Sequence, residues 1–88
     1  MKQSVKVDIF GNDYILKADT DDRHIQKVAD LVDQRMREVS LSTNSKSTIN
    51  IAILAALNIA DEYLKIKDEK DKAETKAREL TQLIDASL

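Results

Sequence analysis

The 88-residue chain has no cysteine, no proline, one glycine and one histidine. Without cysteine it can form neither disulfides nor thiolate metal sites. His24 alone does not make a histidine metal centre, and no nucleophile stands near it in sequence. It reads as an exposed histidine at a helix start rather than as a catalytic base. Gly11, as the only glycine, excludes a glycine-rich phosphate loop. Charge of one sign is also missing: 34 % of residues are charged, yet the net charge is −2. The two signs are interspersed as on a solvated surface, so no nucleic-acid partner is expected. The most apolar run, positions 49–60, is far shorter than the roughly 20 residues of a membrane span. Met1-Lys2-Gln3-Ser4 leads straight into alternating residues, so no signal peptide and no membrane association are expected. No cofactor is implied, and an enzyme is not expected. A chain this small is marginally stable alone, and with disulfides and metals excluded, partner subunits remain as the source of stability.

What is present falls into two parts. Val5, Val7 and Ile9 alternate with Lys6 and Asp8 and run into Phe10-Gly11-Asn12-Asp13, the signature of a hairpin over about 4–18. A two-residue II′ loop at Gly11-Asn12 pairs Ile9 with Tyr14, Val7 with Leu16 and Val5 with Ala18, which places all six on one face. Lys6, Asp8, Ile15 and Lys17 take the other face, where Phe10 and Ile15 offer a place for a partner to pack. A lone hairpin is marginal in water, so it must lie on something. Ile25, Val28, Ala29, Val32, Met36 and Val39 supply that surface as the stripe of a helix over about 21–39, with Asp19 or Thr20 as N-cap and Asp21 and Asp22 in the first turn. Leu31 lies off this stripe. The segment 40–47 holds four serines and reads as a polar loop ending in an N-cap at Ser45 or Ser47.

Positions 48–88 contain neither glycine nor proline, so nothing interrupts a helix of roughly 60 Å. Ile49, Ala52, Ala56, Ile59, Tyr63, Ile66, Ala73, Ala77, Leu80 and Ile84 recur in steps of three and four, with Lys70 and Ser87 as the clearly polar members of the series. This stripe argues for a coiled coil and is assigned to the oligomer interface. Ile53, Leu57, Ala60 and Leu64 form a second apolar face beside it, so the first turns should be buried on several sides. Asp61–Lys65, Asp68–Lys72 and Glu74–Arg78 are ordered for i, i+4 pairing. The fold class is therefore α+β: a small ββα head, 1–47, followed by a long coiled-coil α-helix, 48–88, whose first part packs into the head. The expected head core is Val5, Val7, Ile9, Leu16, Ile25, Val28, Val32, Met36, Ile53 and Leu57. Asn58 lies within the apolar run and reads as an amide that is partly exposed or bonded within the head, or as a register-setting contact at an interface. Parallel and antiparallel helix pairing are both compatible with the small Ala73 and Ala77.

Two stretches, Val7-Asp8-Ile9-Phe10-Gly11-Asn12-Asp13-Tyr14 and Ala55-Ala56-Leu57-Asn58-Ile59-Ala60-Asp61-Glu62-Tyr63, resemble the signature segments of the ZapA cell-division proteins. Between them, the helix containing Val32-Asp33-Gln34-Arg35-Met36 resembles the family's first helix. The resemblance implies dimers formed through heads and tetramers formed through helices. It further implies a cytoplasmic protein at the division site that binds FtsZ, the tubulin-like GTPase of the bacterial division ring, and bundles its filaments. It points to charged head surface as the contact, for which Arg35, Arg37 and Lys46 are the head-proximal cations. A coiled-coil homo-oligomeric adaptor with a different protein partner fits the same residues.

Overall fold

A computed structural model describes the backbone of residues 3–87 and the side chains of residues 3–82. In chain order these form strands β1 (Gln3–Ile9) and β2 (Asn12–Ala18), then helices α1 (Asp22–Ser42) and α2 (Thr48–Ser87). The architecture is a small ββα head followed by a long helix. The chain divides into two units, one ending at Asn58 and one starting at Ile59; the first of these is the head.

β1 and β2 pair antiparallel, with Val5 opposite Leu16, Val7 opposite Tyr14 and Ile9 opposite Asn12. The expected register is thus displaced by two residues, and the loop is Phe10-Gly11. Both loop residues have positive φ, 52° and 82°, which makes the turn type I′ rather than II′. Displacement by two preserves strand parity, so the expected faces are retained. The left-handed conformation costs a non-glycine residue about 1–3 kcal/mol, and contacts from other elements offset this at Phe10. Its N–H donates to Asp33 Oδ1 of α1 at 2.7 Å, and its side chain packs on Met36, Val39, Ile51 and Ala55. Phe10 is therefore partly buried in the head rather than presented on the outer face of the hairpin. Asp8 Oδ1 accepts from Gly11 N at 3.2 Å and Asn12 Nδ2 donates to Phe10 O at 3.4 Å, which close the turn.

The N-cap of α1 is Asp21, not Asp19 or Thr20; its Oδ1 accepts from Arg23 N at 2.9 Å. The helix runs past 39 into the serines that read as loop. Their hydroxyls turn back onto its carbonyls, Ser40 Oγ onto Arg37 O at 2.8 Å and Ser42 Oγ onto Val39 O at 3.2 Å, a local bond that lets serine sit in a helical turn. Ser47 caps α2, its Oγ accepting from Asn50 N at 3.3 Å, and Ser45 Oγ in turn accepts from Ser47 N at 3.2 Å.

The core forms two adjoining clusters. Val5, Val7 and Ala29 are buried together with Ile9 and Ile25 against them. Met36, Val39, Ile51 and Ala55 form the other, joined by Phe10, Val32 and Ala52. Four residues expected in the core, Leu16, Val28, Ile53 and Leu57, are exposed in the single chain. Their places on α2 are taken by Ile51 and Ala55, 3 % and 1 % exposed. The cause lies in a helix segment that is apolar on every side. Several stripes could turn inward, and the one carrying Ile51 and Ala55 is the one that joins Met36 and Val39 of α1.

In the second unit every residue from 61 to 82 is exposed. Asp61 and Lys65 pair at 2.9 Å and Asp68 and Lys72 at 3.0 Å, while Glu74 is met by Lys70 at 3.8 Å rather than by Arg78. Such pairs contribute only about 0.2–0.5 kcal/mol each, too little to hold a single helix in water. Among the described residues, no helix is long and apolar enough to cross a membrane.

A candidate self-association face

The inner face of the hairpin is only half covered. α1 lies on β1 and buries Val5 and Val7, whereas Tyr14 and Leu16 of β2 are 47 % and 38 % exposed. With Phe10 at the turn, Ile49 and Ala52 on α2 and buried Met36 at its base, they line an apolar groove of about 390 Å³. Few polar atoms converge there, so it suits packing against an apolar surface rather than bond-making chemistry.

The head segment of α2 widens this surface. At roughly 100° per residue, Ile51 and Ala55 mark the inward side, Ile49, Ala52 and Ala56 one flank, and Ile53 and Leu57 the side facing away. Ile49 is 72 %, Ile53 53 % and Leu57 61 % exposed. Ala56 is also exposed, and Ala52 is half-buried. Both apolar faces read from the sequence are therefore open in the single chain, the one assigned to a partner and the one assigned to the head core. An apolar surface of this breadth marks an interaction site. Asn58 is exposed at its border.

In the second unit Ile59 is half-buried, and Tyr63, Ile66, Ala73, Ala77 and Leu80 are exposed. Ile84 falls within α2, its side chain outside the described residues. These positions form one narrow stripe, with alanines along its middle.

The cations separate. Arg35 and Arg37 are two residues apart on α1 and so point roughly 200° from each other; they do not form one patch. Arg35 Nη1 lies 3.4 Å from Glu38 Oε2. Arg37 Nε donates to Asp33 Oδ2 at 2.9 Å, the same carboxylate that holds Phe10. Lys46 is exposed in the connection between the helices. Arg37 is thereby part of the clamp on the hairpin turn. Its hydrogen bond, with help from the Phe10 N–H, holds the Asp33 carboxyl below its ordinary range, and Asp33 raises the Arg37 guanidinium in return. A carboxyl with a depressed folded-state pKa adds stability that is fully present above its unfolded value, about 3.9, and is lost as pH falls through the folded value. Asp33→Asn should therefore lower the melting temperature at neutral pH and flatten its decline below about pH 4. Circular dichroism melts of both proteins across that range check this; parallel curves would remove the role assigned to the charge.

Among the described residues, no cluster of three or more histidine, cysteine, aspartate or glutamate side chains could hold a metal ion, and His24 is exposed. The arrangement offers apolar area and one clamped turn.

A family model described as cell division protein ZapA matches residues 5–87. The cell division protein ZapA of Bacillus anthracis is 37 % identical over 71 residues, covering 81 % of this chain and 80 % of its own. That of Oceanobacillus iheyensis is 38 % identical over 68 residues, covering 77 % and 79 %. A solved ZapA mutant dimer from Geobacillus stearothermophilus matches with TM-score 0.73 at 35 % identity, over 89 % of this chain and 91 % of that one. An unknown conserved bacterial protein from Pseudomonas aeruginosa PAO1 matches with TM-score 0.71 at 27 % identity, over 93 % and 92 %. The ββα head, the long helix and these matches over nearly the whole length agree: the chain belongs to the ZapA family of cell-division proteins.

Proposed function

We propose that this protein binds FtsZ at the division site in the cytoplasm and crosslinks its filaments, stabilising the ring that drives septation. The observation that carries the reading is the contrast between the two units. The head presents a broad apolar surface over the groove, Ile49, Ile53 and Leu57, suited to a homodimer. The second unit presents one narrow stripe suited to a weaker coiled-coil pairing of dimers into a tetramer. A tetramer carries heads in more than one place, and binding two filaments at once raises avidity without any new contact. Lys46 and the cations of α1 are the head charges to substitute first. Since Arg35 and Arg37 lie on different sides of α1, a single filament-facing patch uses one of them.

Co-sedimentation with assembled FtsZ tests the reading. Enrichment in the polymer pellet, with bundles seen by electron microscopy, is the expected result. A protein that is tetrameric by sedimentation yet stays in the supernatant would overturn it and leave an adaptor for another protein, which affinity capture from cytosol would then identify.

A further inference from the structure

The hairpin has two outer edges, and α1 meets the one on β1. In a two-residue hairpin the residues flanking the turn, here Ile9 and Asn12, exchange both backbone hydrogen bonds, and every second pair does likewise. Lys6 and Ile15 stand opposite each other in one of the intervening pairs, so their N–H and C=O groups point away from the hairpin. On β1, α1 caps one of these outward groups: Gln26 Nε2 donates to Lys6 O at 3.0 Å. On β2 the outward groups belong to Asp13, Ile15 and Lys17, and the strand is exposed from Asn12 to Lys17. An uncovered strand edge is a template for another strand.

The sequence of that edge is complementary to itself. We propose that β2 pairs antiparallel with β2 of a second copy about a two-fold axis through Ile15, giving a four-stranded sheet across the dimer. This inference rests on the self-association read above and specifies its seam. In this register Asp13 meets the partner's Lys17, Lys17 meets the partner's Asp13, and Ile15 meets its own copy, each through outward backbone groups. On the opposite face Tyr14 meets the partner's Leu16, which joins the two apolar grooves into one surface. Other registers with the same backbone parity lose this match. An axis through Asp13 or Lys17 sets like charges against each other, and an axis through Tyr14 or Leu16 sets a charge against Ile15. Opposite charges favour a cross-strand pair and like charges oppose it, so the charges select one register. They also keep the free edge from pairing indiscriminately.

The absence of cysteine gives a direct test. Residues facing each other in a hydrogen-bonded antiparallel pair have Cα atoms about 5.5 Å apart, within the range a disulfide spans. Ile15 is exposed at 72 %, so Ile15→Cys leaves the head core untouched. The Ile15→Cys protein should crosslink to a covalent dimer under mild oxidation, whereas Ser4→Cys, exposed on the opposite edge of the hairpin, should crosslink only at the rate of random collision. Asp13→Lys alone and Lys17→Asp alone should reduce the dimer fraction in sedimentation, and the double swap should restore it. A dimer in which Ile15→Cys does not crosslink faster than Ser4→Cys overturns the β2 seam and leaves self-association standing. A protein that sediments as a monomer at all concentrations overturns both.

Discussion

Ile51→Glu abolishes the cooperative melt of the head, whereas Leu57→Glu preserves a cooperative melt and removes its dependence on protein concentration. The two residues lie less than two turns apart on one apolar helix, and the sequence pattern alone assigns Leu57 to the core. The structure reverses the assignment. Ile51 is 3 % exposed among Met36, Val39 and Ala55, and Leu57 is 61 % exposed. Truncation of a buried isoleucine costs about 2–5 kcal/mol, a large share of the roughly 5–15 kcal/mol that holds a domain together. An unpaired carboxylate at the same place adds the cost of burying a charge. At position 57 the carboxylate stays in water within one chain and meets apolar surface only in an oligomer. Its effect then appears in the association equilibrium, which is what makes an oligomer's melting temperature vary with concentration. Far-UV circular dichroism melts at several concentrations separate the cases. A wild-type melt for Ile51→Glu would contradict the packing described, and an unfolded Leu57→Glu protein would return Leu57 to the core.

The same pair shows how far the sequence reaches. Alternation in 4–18 and the three-and-four spacing in 21–39 report a hairpin and a helix because each has one buried face and one wet face. Val5, Val7 and Met36 stand out on those grounds. Positions 49–64 carry apolar residues all round, and periodicity then says only that several sides are buried. It does not say which side meets the head, so nothing in it singles out Ile51 and Ala55. That stripe is marked by its contact with Met36 and Val39 of α1, a property of the assembled interior. The hairpin register failed for a related reason. Gly11 signals a turn, but the turn that forms needs Phe10 in a left-handed conformation, and that depends on Asp33 from a helix more than twenty residues on. Asp33 and Arg37 stand at i, i+4, but nothing in that spacing reports the hold on Phe10. The self-complementary edge of β2 is different again. Asp13, Ile15 and Lys17 are plain in the sequence, yet only the observed register shows that their backbone groups point outward.

Leu80→Glu reduces tetramers to dimers and, on the reading proposed here, abolishes filament bundling while sparing attachment to single filaments. The stripe of the second unit has little apolar area to lose. Ala73 and Ala77 contribute small side chains, and Leu80, 53 % exposed in the single chain, is the last large apolar residue among the described side chains. Burial of a leucine is worth about 1.5–3 kcal/mol, and a carboxylate in its place must lose its water to keep the seam closed. Every chain of a homo-oligomer carries the substitution, so the loss repeats in each copy of the seam. A total of even about 3 kcal/mol shifts association by roughly a hundredfold. The head surface of Ile49, Ile53 and Leu57 belongs to the other unit and keeps its dimer. With one dimer per filament contact, the avidity gain of joined heads, on the order of 10² to 10⁴, disappears, and with it the force that draws filaments side by side. Sedimentation velocity reads the first effect, and light scattering with electron microscopy of FtsZ polymers reads the second. An unchanged tetramer would show that the stripe is not the seam. Dimers that still bundle filaments would show that the crosslink is made by the heads alone, and the second unit would then need another use.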